Sequence, residues 1–234
     1  YGAASTLVKV TGTNSQACLA AAGTFGQNFE IEGDGWDEAA GKLGALRFEA
    51  GATVGGNVTV TGLTRITANT GVTGTINGTL SGTESLDIGL PGGTVDRAGT
   101  VALNGSAAGY TGMVGVRSGQ LDVRNDFGGD IFVIAGAGIG GEGSIAGGLA
   151  SGDVTPTFMV ADGSTTDALA VAGDVDLSLG VTNLTVSGIP ATGTSFTAFT
   201  YGSLTGPVTN IVPVALRGGT VTNDSANKQV VVNY

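Results

Sequence analysis

The densest group of potentially reactive side chains is a run of carboxylates near the N-terminus. Its members are Glu30, Glu32, Asp34, Asp37 and Glu38. Carboxylate oxygens gathered on a turn are the ligands that Ca²⁺ prefers, so the run is a candidate calcium site. Its spacing is not that of an EF-hand loop, however, and Glu30 and Glu32 would share the outward face of one strand. The sequence therefore favours a solvated acidic loop, with calcium binding as the alternative.

The only tryptophan of the chain, Trp36, lies inside this acidic run. An exposed indole ring can stack on a sugar, whereas a buried one fills a core. A single tryptophan is more often a packing residue, and the sequence predicts that role for Trp36.

A second group combines carboxylates with arginines. Its members are Asp87, Asp96, Arg97, Arg117, Asp122 and Arg124. Carboxylates, with an arginine or lysine as base, can cleave polysaccharides, and Asp122 and Arg124 could lie beside Arg117 or Asp87 on a neighbouring repeat. Ion pairs between outward side chains explain the same residues without catalysis, and the sequence favours them. Because the chain has no histidine, Ser-His-Asp triads, Cys-His pairs and His-ligated zinc are excluded.

A glycine-rich stretch imitates two cofactor motifs. The pattern G-x-G-x-x-G is met by Gly136, Gly138 and Gly141. Dinucleotide binding also requires a helix after the motif, and residues 142–148 are too rich in glycine for one. Residues 140–143 resemble the start of a calcium-binding nonapeptide, but Ile145 stands where that motif needs aspartate. Both interpretations are rejected, and no cofactor is predicted apart from the calcium alternative above.

The overall charge narrows the classes of partner. The 234-residue chain carries a net charge of −10 and has a pI near 4.1. Such a charge repels phosphate backbones, so we expect no nucleic-acid binding. The chain has too few lysines for a polybasic membrane patch, and its long uncharged stretch from Leu177 to Leu216 is interrupted by polar residues, glycines and prolines. We therefore expect no membrane insertion.

The elements that must position these side chains are short strands, in which apolar and polar residues alternate. The predicted strands are 6–10, 29–32, 45–48, 58–60, 86–88, 101–103, 114–116, 121–123, 175–179, 184–186, 196–199 and 230–232. A glycine-and-apolar phrase also returns every 20 to 24 residues, at Gly56, Gly78, Gly99, Gly119 and Gly143. A period in that range without a helical pattern is typical of a β-solenoid, in which each repeat is one coil.

The chain is predicted to be one domain, residues 1–234, with three parts. Residues 1–27 form an N-terminal cap in which Ser15–Gly23 is a short helix or turn. Residues 28–150 contain the clearest coils, and residues 151–234 contain the last coils and a C-terminal cap that includes a hairpin. Asparagines at similar spacing are expected to form amide ladders at the coil corners; the pairs are Asn57 with Asn77 and Asn104 with Asn125.

One stretch carries a family resemblance. Ala98–Gly112, continuing through Val116 to Ser118–Val123, is similar to the strand repeat associated with bacterial autotransporter passengers. In that family a Gly-Thr-apolar-x-Leu strand is followed by an Asn-x-Tyr-Thr-Gly turn and a Gly-x-Leu strand; here Ala108 and Gly109 stand where asparagine is frequent. The likeness covers roughly residues 25–210. It implies a right-handed, single-stranded parallel β-helix of about ten coils, exported to the bacterial surface or beyond, and it implies no catalytic motif.

These observations lead to an expected function. We expect a secreted or cell-surface non-enzymatic protein, located outside the cell or on the bacterial surface, that acts as an adhesin-like or structural module of a matrix or fibre. Its expected partners are other copies of itself, joined end to end or laterally, and host or neighbouring cell-surface or matrix components. The alternative is a β-helix that binds or degrades polysaccharide.

Overall fold

The computed structural model describes residues 6–39, 41–91, 97–134, 136–151, 157–160, 168–178, 182–186, 195–214 and 219–233. Within these ranges the protein is all-β and has no α-helix. The strands are β1 (Leu7–Val10), β2 (Ala17–Leu19), β3 (Gly23–Phe25), β4 (Asn28–Gly33), β5 (Asp37–Glu38), β6 (Gly41–Lys42), β7 (Leu46–Phe48), β8 (Ala52–Val54), β9 (Val58–Ala68), β10 (Thr73–Ile76), β11 (Leu80–Gly82), β12 (Leu86–Ile88), β13 (Thr100–Leu103), β14 (Met113–Val116), β15 (Gln120–Val123), β16 (Asp126–Phe127), β17 (Asp130–Val133), β18 (Gly138–Gly140), β19 (Ser144–Ile145), β20 (Leu149–Ser151), β21 (Thr157–Val160), β22 (Leu169–Asp176), β23 (Thr182–Val186), β24 (Ser195–Thr205), β25 (Ile211–Val214), β26 (Thr220–Asp224) and β27 (Gln229–Asn233).

Most of these strands stack in parallel and form three long walls. Wall 1 runs from β1 and β4 through the first part of β9 to β11, and later through β16 and β19. Wall 2 contains β2, β7, the second part of β9, β12, β14, β17 and β20. Wall 3 is the nine-stranded sheet that runs from β3 to β25. Long stacked parallel sheets of this kind are the arrangement expected of a β-solenoid.

The coils are unequal in length, which differs from the regular period expected from the glycines. Stacked neighbours lie 22 residues apart from Val58 to Leu80, 17 apart from Val114 to Ile131 and 29 apart from Ala17 to Leu46. The extra residues of the long coils leave the walls as loops, whereas the strand segments stay in register. Loop length is tolerated at the surface because it costs little closure entropy.

The core is formed by the inward side chains of successive coils, stacked in rows. Phe29, Val58 and Leu80 make one such row along wall 1, and each is at most 1% exposed. Every fully buried side chain of this size contributes about 1.5–3 kcal/mol by leaving water. Buried and outward residues alternate as predicted in strands such as β7 and β8, whereas residues 101–103, 114–116 and 121–123 are buried at every position. Each predicted strand overlaps an observed one, but β22 ends at Asp176, before residues 177–178 of the predicted strand 175–179.

Glycines allow the corners between walls to stack backbone on backbone. A Cβ on Gly78 would meet the backbone oxygen of Gly56 at 2.0 Å, and one on Gly119 would meet that of Gly99 at 2.2 Å. These two pairs belong to different corners, so the single period expected from the sequence combines two separate rows. The next member of the first row is Gly105, which follows Gly78 in the same way.

Asparagines do form ladders at a corner, although the pairing is only partly the predicted one. The Asn104 side-chain amide donates to Asn77 Oδ1 at 3.1 Å, and the Asn125 amide donates to the Asn104 carbonyl at 3.4 Å. Asn57 belongs to a neighbouring row, where its backbone N–H donates to Asn28 Oδ1 at 2.8 Å.

The N-terminal segment differs from the expected helix or turn. Ala17–Leu19 is strand β2, which pairs with β7 and buries Ala17 and Leu19 at 3% and 0% exposure. The helix propensity of the alanines is small, and the burial of alternate side chains against the next coil outweighs it. At the other end a hairpin is present, as expected: β26 and β27 are antiparallel, and β27 pairs antiparallel with β24.

Candidate functional site

The five carboxylates of the acidic run do not converge. Glu30 points outward from β4 and pairs with Lys9 at 2.6 Å, while Asp34 pairs with Lys42 at 3.0 Å. Glu38 pairs with Arg47. Among the residues that the structure describes, no three acidic, cysteine or histidine side chains are grouped closely enough to hold a metal ion. Calcium binding by Glu30, Glu32, Asp34, Asp37 and Glu38 stays a prediction that this geometry does not support.

The second half of the run forms a small hairpin outside the walls. Strands β5 and β6 pair antiparallel, with Asp37 opposite Lys42. The base of the hairpin is closed by a 2.8 Å hydrogen bond from the Gly44 N–H to the Asp34 carbonyl. Trp36 stands on this hairpin with 61% of its surface exposed. The prediction that it packs in the core is therefore wrong.

Trp36 lines a surface cleft of about 280 Å³ together with Asn14 and Asp37. Asn14 comes from the turn between β1 and β2, so the cleft lies between the first coil and the hairpin. An apolar ring is thus placed beside an amide and a carboxylate. No sequence motif marks this arrangement, because it depends on a loop that folds back against the preceding coil.

The carboxylate–arginine candidates form separate ion pairs. Asp87 accepts from Arg117 Nε at 2.8 Å on wall 2, and Asp122 pairs with Arg124 at 2.6 Å on wall 3. The two pairs lie on different walls, so the expectation that they could meet is wrong. Asp96 lies outside the described residues.

The sequence named Arg97 as a candidate but did not indicate its partner Glu49, and it did not indicate Arg65. Arg97, whose side chain is 9% exposed, pairs with Glu49 at 2.6 Å, and Glu49 also accepts from Arg47. Arg65 donates to the Lys42 carbonyl at 2.9 Å and so binds the hairpin to wall 2. These contacts cross between coils of unequal length, and spacing alone therefore did not indicate them.

Wall 2 also carries a shallow trough of about 280 Å³, whose lining includes Met113, Phe132 and Ala150. Three carboxylates line it, and each accepts a hydrogen bond: Asp130 from the Gly148 N–H at 2.8 Å, Asp174 from the Ser203 hydroxyl at 2.9 Å and Asp176 from the Ser178 N–H at 2.8 Å. The bond to Asp176 closes a turn, whereas the bonds to Asp130 and Asp174 join neighbouring coils, so the carboxylates have a structural role. Hydrogen bonding by the Ser178 side chain, and then by its backbone N–H, lowers the pKa of Asp176.

The glycine motif has no nucleotide-binding geometry. Gly138 begins β18, and the next element is the strand β19, so no helix follows the motif. Gly136 and Gly141 have φ values of 73° and 108°, which fit sharp corners between strands. The rejection of a dinucleotide site is consistent with these strands.

Tyr110, in the turn that carries the family resemblance, is a core residue. It is fully buried, and its ring lies 5.6 Å from that of Phe127. Its hydroxyl donates to the Glu84 carbonyl of the preceding coil. Burial, with a smaller effect of Glu84 and Asp87, raises the pKa of Tyr110 well above its usual range. The tyrosine of this turn therefore joins two coils.

No protein-family model, no curated protein and no solved structure matches this chain. The resemblance to autotransporter passengers accordingly stays a prediction from the residues of the repeat. Among the described residues, no helix has the length and apolar character needed to span a membrane.

Proposed function

We propose that the protein is a secreted or cell-surface, non-enzymatic β-solenoid that serves as an adhesin-like or structural module of an extracellular matrix or fibre. We assign it the right-handed, single-stranded parallel β-helix of autotransporter passengers. About ten coils at ~4.8 Å each would give a rod on the order of 50 Å long.

The observation that supports this proposal best is that the charged residues considered for catalysis form ion pairs with each other. Three ion pairs form along or between coils: Arg117 with Asp87, Arg124 with Asp122 and Arg97 with Glu49. The pairs of Arg117 and Arg97 join different coils, and in all three pairs the two charges neutralise each other. A long, rigid surface with paired charges suits the presentation of contacts to a neighbour more than the cleavage of a bond.

The proposal is tested by displaying the full chain on the surface of a non-adherent bacterium. We expect increased attachment to extracellular-matrix coatings or to neighbouring cells, measured against the same display system with an unrelated β-domain. Attachment equal to that control would contradict the adhesin-like function. Release of reducing or unsaturated ends from a polysaccharide panel by the purified protein would contradict the non-enzymatic assignment.

End-to-end association belongs to the same proposal and has its own test. The end strands of wall 3, β3 and β25, each have a single partner strand among the described residues, so copies can in principle continue the sheet. Size-exclusion chromatography and electron microscopy over a range of concentrations should show short end-to-end assemblies. A strict monomer at the highest concentration would count against this part.

A further inference from the structure

The hairpin that carries Trp36 is attached to the walls more firmly than a surface loop requires. The Gln16 side-chain amide donates to the Gly44 carbonyl at 3.2 Å, and Arg65 donates to the Lys42 carbonyl at 2.9 Å. Thr67, which is fully buried, donates to the Leu43 carbonyl, and the Leu43 side chain is 1% exposed. These contacts come from two different coils, because Gln16 precedes β2 whereas Arg65 and Thr67 both lie on β9. The position of the hairpin is therefore fixed before any ligand arrives.

The backbone beside the indole is equally constrained. Gly35 has a φ of +95°, and a Cβ there would meet the Gly44 oxygen at 2.4 Å. Only glycine permits this approach of the two hairpin strands. Trp36 is therefore presented to solvent by a rigid support, although burying such a ring would be the more stable arrangement.

The polar surroundings of the ring indicate what kind of ligand fits. A protein partner that used apolar contact would need a patch of several hundred Å², whereas Trp36 is bordered by Asn14 and Asp37. The volume of about 280 Å³ is slightly below the ~300–1,000 Å³ of pockets for drug-sized ligands. One or two rings of a small ligand match that space.

The charge of the rim restricts the ligand further. Asp37 is exposed on the hairpin and has no ion-pair partner among the described residues. With a net charge of −10 on the whole chain, this rim disfavours an anionic ligand. A neutral sugar places its C–H face on the indole, donates hydroxyl hydrogens to Asp37 and exchanges hydrogen bonds with the Asn14 amide.

We propose that Trp36, Asn14 and Asp37 form a binding site for a neutral pyranose unit of a glycan. This inference deepens the proposed function by naming a ligand class, and it rests on that function for the encounter with extracellular glycans. The site itself depends only on the geometry of the hairpin. Its test is therefore separate from the attachment assay, and either proposal can fail without the other.

The single tryptophan makes the site directly measurable. Selective excitation of Trp36 in the full chain should show the emission of a solvent-exposed indole. Titration with a panel of neutral oligosaccharides of glucose, galactose and mannose should shift that emission saturably for at least one of them. Oligogalacturonate is the anionic comparison and should bind more weakly because of the negative rim. Chitosan oligomers are the cationic comparison.

Calorimetry with the neutral sugar that binds then assigns the contacts. Trp36→Ala should weaken binding at least about 10-fold, and Trp36→Phe should restore part of it because a flat ring remains. Asn14→Ala and Asp37→Asn should each weaken it about 5-fold, the effect of one hydrogen bond. Leu63→Ala is the matched control, since Leu63 is 66% exposed and does not line the cleft, and it should leave binding unchanged.

Three results would overturn the site. One is a panel in which no neutral sugar shifts the emission of the folded protein. The second is binding restricted to the anionic or the cationic oligomers, which would assign the cleft to charge and not to stacking. The third is equal loss of binding in Trp36→Ala and Leu63→Ala, which would place the ligand elsewhere.

Discussion

Tyr110 shows how a single side chain can couple two coils through both packing and protonation. Its buried hydroxyl must keep its proton to donate to the Glu84 carbonyl, and burial accordingly raises its pKa. Below the usual tyrosine pKa of about 10, the folded and unfolded chains both hold this proton, so the stabilisation is complete. Above that pH the unfolded chain releases the proton and the folded chain retains it. The free energy of unfolding then falls by about 1.4 kcal/mol per pH unit.

The first prediction follows from this fall in the free energy of unfolding at alkaline pH. Tyr110→Phe should lower the free energy of unfolding at neutral pH by about 1–2 kcal/mol, because the Glu84 carbonyl loses its donor. In the wild type, Tyr110 contributes to the fall in the free energy of unfolding above pH about 10. The same variant should lack that contribution. Urea unfolding of both proteins from neutral to alkaline pH measures the difference. If the free energy of unfolding had the same pH dependence in both proteins, Tyr110 would not keep its proton on folding, which would contradict this prediction.

Glu49 supports a second prediction, because it is shared by two arginines. Removal of its charge leaves Arg97, nine-tenths buried, without its partner. Glu49→Gln should lower the free energy of unfolding by about 2–3 kcal/mol. The value is at the low end for a buried pair because a fifth of Glu49 is exposed to screening water. Glu38→Gln is the control, because Arg47 then keeps Glu49 and the loss should stay below about 1 kcal/mol. Thermal and chemical unfolding compare the two variants; equal losses would show that Arg97 does not depend on Glu49.

Individual strands were well predicted from the sequence, whereas their stacking was not. The alternation in Val58–Val60 or Leu46–Phe48 shows which face is buried, and that is a local property. Which strand lies on which is set by coil lengths, and these vary because loops such as the β5–β6 hairpin leave the wall. The burial of alternate positions in Ala17–Leu19 likewise depends on a partner strand 29 residues away. The cleft at Trp36 could not be predicted for the same reason, since it joins residues from separate coils.

The corner glycines lead to a third prediction, at the scale of a coil. A Cβ at Gly78 would lie 2.0 Å from the Gly56 oxygen, so Gly78→Ala must push two coils apart at the corner. We expect a loss of at least about 3 kcal/mol, together with faster hydrogen exchange in β10 and β11. Gly51→Ala is the matched control, because the nearest atom to its Cβ would be 3.9 Å away. Similar stability of the two variants would show that backbone contact at the corner does not limit the fold.

The two ends of the molecule are closed in different ways, which bears on whether copies can join. At the C-terminal end the hairpin pairs with β24, so β27 lies between two strands and only β26 remains as the edge of wall 1. At the C-terminal edge of wall 3, β25 contains Pro213, which cannot donate a backbone hydrogen bond. At the N-terminal end, β1, β2 and β3 each have a single partner strand among the described residues. The C-terminal hairpin covers β24 only over Ser195–Thr200, and residues 203–205 of β24 pair with β22 alone among the described residues.

The fourth prediction tests the hairpin as the device that limits growth. Val232 is fully buried and faces Phe196 of β24, so Val232→Asp would place an unpaired carboxylate in the core. The hairpin should detach and leave the edge of β24 free, while the upstream walls keep their own contacts and their β-sheet circular dichroism. Sedimentation velocity should then show concentration-dependent, end-to-end species well above the wild-type level. Thr222→Asp, at an exposed position of β26, should behave as the wild type does. A folded, strictly monomeric Val232→Asp variant would show that the hairpin does not control association, because the edge it protects would then have no affinity for another copy.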